Sequence, residues 1–94
     1  MKALIVVDAQ YDFMPGGALA VTDGDQIIPV INKILQNYEL VIFTNDWHDP
    51  RMRAFASQHE GANPFDHYIN SDGDEDTLWP EHCIAGTRGA DLHD

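Results

Sequence analysis

Ala3-Leu4-Ile5-Val6-Val7-Asp8 is an unbroken aliphatic run, rich in β-branched side chains, that stops on an acid. A run this short and this uniformly apolar predicts a strand buried on both faces, as in a parallel sheet. Leu40-Val41-Ile42-Phe43-Thr44 repeats the signature. Between the two, Ile27, Ile28, Ile31, Ile34 and Leu35 recur at helical spacing and predict an amphipathic helix. Asp23 and Asp25 lie near its start, where short acids cap free N–H groups. Pro29 falls in the first turn, where a missing N–H costs least, and Asn37 and Tyr38 end the pattern. Strand, helix and strand make one βαβ unit with a right-handed crossover, and so an α/β fold. Ligands of such sheets bind beyond the carboxyl ends of the strands. Asp8 follows the first strand and Asp46-Trp47-His48 the second, so both are site candidates on position.

The rest of the chain is less regular. Tyr11 to Gly24 reads as a loop around Pro15-Gly16-Gly17, with a short extended piece at Ala18-Leu19-Ala20-Val21. After Asp49 the first apolar element is Phe55-Ala56, and residues 61–76 are polar. Ser71-Asp72-Gly73-Asp74-Glu75-Asp76 reads as a solvated loop, since the alternating ligands and closing Glu of a calcium loop are missing. Leu78 to Ile84 restores apolar density, and Gly86 to Asp94 has no regular pattern. One helix cannot cover both faces of a parallel sheet. The chain is therefore expected not to close its own core.

With 94 residues the chain holds at most one small domain. Five basic against 16 acidic residues leave a net charge of -11, and Arg51 with Arg53 is the only close basic pair. That excludes nucleic acid, whose phosphates require clustered Lys or Arg. It favours a cation or a neutral small molecule as ligand. A hydrophobic fraction of 44% is too high for a disordered chain. Cys83 is the single cysteine, so no disulfide is expected and a reducing compartment is. The first residues lack the length of a membrane span and the pattern of a signal peptide. The expectation is a cytoplasmic protein that does not enter a membrane.

Asp46 and His48, two apart at a strand end, point the same way. Such a pair either hydrogen-bonds structurally or ligates zinc, iron or manganese. His82, in Trp79-Pro80-Glu81-His82-Cys83, offers a third ligand. Three protein ligands with open positions is the arrangement of a catalytic rather than a structural metal. Asp8 either caps a neighbouring loop or, with the nearby aromatic Phe13, serves a site that takes a planar ligand. His59 and His67 read as surface residues, and His93 as part of a mobile chain end. Cys83 reads as a packed small hydrophobe, since Asp46 and Glu81 are poor company for a thiolate.

Taken in order, these motifs resemble the nicotinamidase branch of the isochorismatase-like cysteine hydrolases. The resemblance rests on Ala3 to Phe13, Pro15 to Val21, Asp46-Trp47-His48, Phe55-Ala56-Ser57 and Trp79 to Cys83. It implies a Rossmann-like three-layer α/β fold with a mostly parallel sheet, incomplete in this chain, whose residues 1–94 form the N-terminal part of one domain. It implies hydrolysis of nicotinamide to nicotinate and ammonia through a cysteine thioester, within nicotinamide salvage for pyridine nucleotide synthesis. Pyrazinamide-like amides are alternative substrates. Asp8 matches the acid that takes the thiol proton. Asp46, His48 and His82 match ligands of a divalent metal, with zinc expected first and iron or manganese as alternatives. Phe13 and Trp79 match pocket aromatics. Some relatives carry a further His where Met52, Arg53 and Ala54 stand here.

In the family, the triad lysine and the nucleophilic cysteine follow the segment matched here. The lysines of this chain are Lys2 and Lys33, away from either motif, and Cys83 matches the non-nucleophilic cysteine of the metal motif. The chain alone is therefore expected to be inactive and to need a C-terminal segment or an oligomer to complete its fold. Two other readings stand beside an enzyme in pieces. One is a non-catalytic metal- or ligand-binding module. The other is an interaction module stable only as an oligomer.

Overall fold

The computed structural model describes residues 1–93. Strand β1 runs Ala3–Val7, helix α1 Ile27–Ile34 and strand β2 Leu40–Thr44. β1 and β2 pair in parallel, with Ala3 opposite Leu40, Ile5 opposite Ile42 and Val7 opposite Thr44. The predicted strand bounds agree with those observed. A 3₁₀ turn, Leu35–Asn37, carries the helix on to the predicted stop.

Side chains alternate across a strand, so this register sorts the sheet into two faces. Leu4, Val6 and Val41 face α1 and pack with Ala9, Met14, Ile28 and Ile31. Ala3, Ile5, Val7, Leu40 and Ile42 occupy the opposite face. There Ile5 is 59% exposed, Val7 68% and Ile42 42%. Burial on both faces is thus not met among the described residues, because one helix covers one face. The radius of gyration is 15.8 Å, against roughly 12 Å for a compact domain of this length. No helix among the described residues is long and apolar enough to cross a membrane.

Several local expectations give way to backbone hydrogen bonding. Ala18–Val21 is not a strand. The Leu19 N–H donates to the Asp12 carbonyl (2.9 Å) and the Val21 N–H to that of Phe13 (2.9 Å), folding the segment onto the Tyr11–Phe13 turn. Asp23 and Asp25 make no side-chain cap. A 3₁₀ turn at Gly24–Gln26 precedes α1, and Asp23 takes a left-handed conformation (φ 57°). Ile27, at the first position of α1, is 49% exposed rather than on the packed face.

Residues 61–76 are not a featureless loop. His67–Ile69 (β3) and Glu75–Thr77 (β4) form an antiparallel hairpin. Asn70 organises its turn by accepting the N–H groups of Asp72 (2.9 Å) and Asp74 (3.1 Å), and Gly73 supplies the positive φ of 84°. Residues 88–93 are tethered rather than loose. Arg88–Ala90 is a 3₁₀ turn, the His93 N–H donates to the Ala9 carbonyl (2.7 Å), and the His93 ring stacks on Tyr11.

Gln10 joins these pieces. It is fully buried. Its Nε2 donates to the carbonyls of Asp46 (2.7 Å) and Ala90 (2.8 Å), and its Oε1 accepts the Asp46 N–H (2.8 Å). One amide thus fastens the end of β1, the end of β2 and the C-terminal turn. Replacing it by Leu strands three backbone groups, each worth about 1–3 kcal/mol when buried and unpaired. Urea unfolding of Gln10→Leu is expected to show a loss on the order of 3–5 kcal/mol, or no folded baseline. Gln58→Leu, at an exposed amide, is the control and should stay within about 0.5 kcal/mol.

Candidate metal centre

The parallel strands deliver Asp8 and Asp46 to the same edge of the sheet. Asp8 takes a left-handed conformation (φ 51°) directly after β1. Its carboxylate accepts the Thr44 hydroxyl (2.6 Å), and its N–H donates to the same hydroxyl oxygen (3.0 Å). Thr44, read only as a strand residue from sequence, therefore fixes the Asp8 side chain from the neighbouring strand.

Asp46 and His48 follow β2, and the backbone of residues 82–85 closes against them. The His48 N–H donates to the Cys83 carbonyl (2.9 Å), and the Ala85 N–H to the His48 carbonyl (2.8 Å). Upstream, the Trp79 N–H donates to the Ala54 carbonyl (2.8 Å) and the Ala56 N–H to the Trp79 carbonyl (2.9 Å). This short zipper carries His82 to the two β2 residues. Asp46 Oδ1 lies 2.7 Å from His48 Nε2, and Asp46 Oδ2 lies 3.3 Å from His82 Nε2. One ligand atom from each of the three falls within 4.8 Å of the others.

The hydrogen bonds around the cluster decide what it can hold. His82 Nδ1 lies 2.7 Å from the Pro80 carbonyl, which has no proton to give. With Nδ1 donating to it, Nε2 is left facing Asp46. His48 Nε2 faces the same carboxylate. At these distances each Nε2 either donates an N–H to the carboxylate or, without that proton, turns a lone pair to a cation held beside it. Two nitrogens and one carboxylate make an N₂O donor set, which suits a borderline divalent ion. The residues fit the metal expected from sequence.

Phe55 holds both imidazoles in place. It has no exposed surface and meets the His48 and His82 rings edge-on at 5.5 Å between centroids. Asp12 acts from the other side. Its Oδ2 accepts the Cys83 N–H (2.8 Å), which ties the His82 segment to the turn bearing Phe13. Gly89 packs against that carboxylate so closely that a Cβ there would sit 2.2 Å from Oδ2. Phe13 and Trp79 line a cavity of about 320 Å³ together with Asp46, His48, Met52 and His82. Five of the six predicted site residues thus share one cavity. Asp8 is not among the residues that line it. Asp12, Gln10, Thr44 and Phe55 were assigned no site role from sequence. Gln10 and Asp12 act on backbone groups, Phe55 through its ring edge and Thr44 through its hydroxyl, contacts that leave no spacing pattern in the sequence.

Cys83 is the packed residue it was expected to be. It is fully buried, in a left-handed conformation (φ 49°). Burial first, then the charges of Asp46, Asp12 and Asp8, push its thiol up to about 12 from an ordinary 9.0. The folded chain therefore keeps a proton that the unfolded chain releases first as pH rises. The stability from this group is intact below the unfolded value and is lost as pH climbs toward the folded one. Denaturant midpoints are expected to fall between pH 9.0 and about 12, and Cys83→Ala should fall less steeply over that window. Parallel profiles for the two proteins would show that the thiol is not held in its neutral form.

No protein-family model matches the chain. In sequence it is 48% identical over 91 residues to a nicotinamidase of Acinetobacter baylyi, covering 97% of this chain and 42% of the relative. In structure it is similar to an Acinetobacter baumanii nicotinamidase/pyrazinamidase (TM-score 0.89, 47% identity, 97% of this chain and 44% of that one). A yeast nicotinamidase bound to the inhibitor nicotinaldehyde gives a TM-score of 0.88 at 36% identity, covering 100% of this chain and 49% of that one. A Pyrococcus horikoshii pyrazinamidase in complex with zinc gives 0.66 at 39% identity, covering 96% and 43%. The chain spans less than half the length of these relatives. Over nearly its whole length the chain is similar in sequence and in α/β fold to nicotinamidases, of whose length it spans less than half.

Proposed function

We propose that this chain carries the metal- and ring-binding part of a nicotinamidase-type active site, which converts nicotinamide and water to nicotinate and ammonia. The observation that carries the reading is the meeting of Asp46, His48 and His82 in one cavity with Phe13 and Trp79. The cavity's size suits a single aromatic ring, and its two aromatic side chains offer flat walls to one. A divalent ion, with zinc favoured by the P. horikoshii relative, would anchor a ring nitrogen or a water when bound. Asp46, His48 and His82 would hold it, and Phe55 would keep the imidazoles aligned. Asp8, oriented by Thr44 at the carboxyl end of β1, would act as the proton-accepting acid. Small aromatic amides of the pyrazinamide kind fit the same features. The reading places the protein in nicotinamide salvage in the cytoplasm.

No nucleophile is available in this cavity from Cys83, whose thiol is buried and held neutral. On this reading a thiol and a lysine come from a segment or partner that also covers the bare sheet face. The chain by itself would bind metal and ring but not turn over. A non-catalytic binding module shares the first half of that statement, and the two readings part on complementation.

The purified chain is expected to take up about one zinc per chain, and Asp46→Ala or His82→Ala should lose most of it. Unchanged metal content in both variants would remove the proposed centre. Nicotinamide should quench the Trp79 fluorescence of the zinc-loaded chain without ammonia release. Release should appear only with a second segment supplying the thiol and lysine. Ammonia from the chain alone would overturn the assignment of an incomplete site.

A further inference from the structure

We propose that Met52 is a selectivity residue of the metal centre, offering a soft thioether as a fourth donor and biasing the site toward copper(I). This rests on the metal reading above and goes beyond it. Among the side chains lining the cavity, only Asp46, His48, His82 and Met52 have an atom able to donate a lone pair to a metal. The others are apolar, apart from Trp79, whose indole N–H only donates a proton. Met52 is therefore the one further side-chain donor among the residues lining this cavity.

The backbone holds Met52 at this wall. Its N–H donates to the Asp49 carbonyl (3.0 Å), and its own carbonyl accepts the Phe55 N–H (3.0 Å). The turn is clamped where it begins. Asp49 Oδ1 accepts the Arg51 N–H (2.8 Å) and Nε–H (3.1 Å), and Oδ2 accepts Nη2–H (3.1 Å). Met52 and His48 also line a second, outer cavity that holds Trp47, Asp49 and Arg51. Met52 and a ligand histidine thus line both the metal cavity and the outer one.

Donor chemistry sets the consequence. Imidazole and carboxylate suit zinc, iron and manganese about as well as their affinity order allows. A thioether adds little to those ions and adds most to copper(I). The long, unbranched methionine side chain can reach an ion or withdraw with little strain. The centre should then accept zinc through three strong protein donors and copper(I) through those plus sulfur.

The test compares zinc and copper(I) affinities of the purified chain and two variants by competition with chromophoric chelators, with the copper(I) work under anaerobic conditions. Met52→Leu conserves volume and so preserves the fold, and far- and near-ultraviolet circular dichroism checks it. It is expected to leave zinc binding nearly unchanged and to weaken copper(I) about tenfold or more. Met52→His should do the reverse, tightening zinc about tenfold or more. X-ray absorption of the copper(I)-loaded wild-type chain should show a sulfur neighbour that is lost in Met52→Leu. Cys83 stays buried in both, so a sulfur signal that survives the substitution overturns the proposal. An unchanged copper-to-zinc ratio in Met52→Leu also overturns it while leaving the metal centre intact. Failure of the wild-type chain to bind either ion overturns both.

Discussion

The structure depends on one buried amide. Gln10 satisfies both backbone groups of Asp46 and the carbonyl of Ala90, three groups from chain segments that share no secondary structure. Buried peptide groups are costly to leave unpaired, so their positions are bound to one another through this side chain. The metal-binding end of β2 cannot move away from the end of β1 without breaking it. Asp12 repeats the device two residues later, by holding the Cys83 N–H.

Around that frame the metal residues are presented by geometry of ordinary kinds. Alternation at the end of β2 puts Asp46 and His48 on one side. A two-strand-like pairing of residues 48 and 84 brings His82 across. Phe55 then takes up the space behind both imidazoles. The strained backbone at Asp8 and Cys83 lies beside the candidate centre. Left-handed conformations of non-glycine residues cluster at sites whose surroundings over-determine them.

Much of this was legible in the sequence, for identifiable reasons. β1 and β2 are continuous aliphatic runs between breakers, and no competing helix of that length is plausible. The spacing Asp46-x-His48 reports its own geometry once the strand is recognised. The hairpin β3–β4 was missed because its strands are three residues each and mostly exposed, too short for any alternation of apolar residues to announce them. The turn at Asn70–Gly73 was the available signal. The expected caps at Asp23 and Asp25 failed because the 3₁₀ turn before α1 moved the helix start beyond their reach. The tether at His93 joins a backbone hydrogen bond, which leaves no mark in residue type, to a ring contact with Tyr11 from far earlier in the chain. The α/β fold was expected to be incomplete in this chain, and among the described residues α1 is the one helix laid on the β1–β2 pair. Similarity to longer nicotinamidases adds no second covering layer here.

The bare face of that pair has a thermal consequence. Unfolding a closed domain brings apolar groups into water and raises the heat capacity by roughly 12–15 cal/mol/K per residue. Ile5, Val7, Leu40 and Ile42 are already substantially hydrated in the native state. The heat-capacity increment of this chain is accordingly smaller than its length implies, and its stability curve is flatter. Its stability then varies little between cold and warm conditions, and the melting transition is broad.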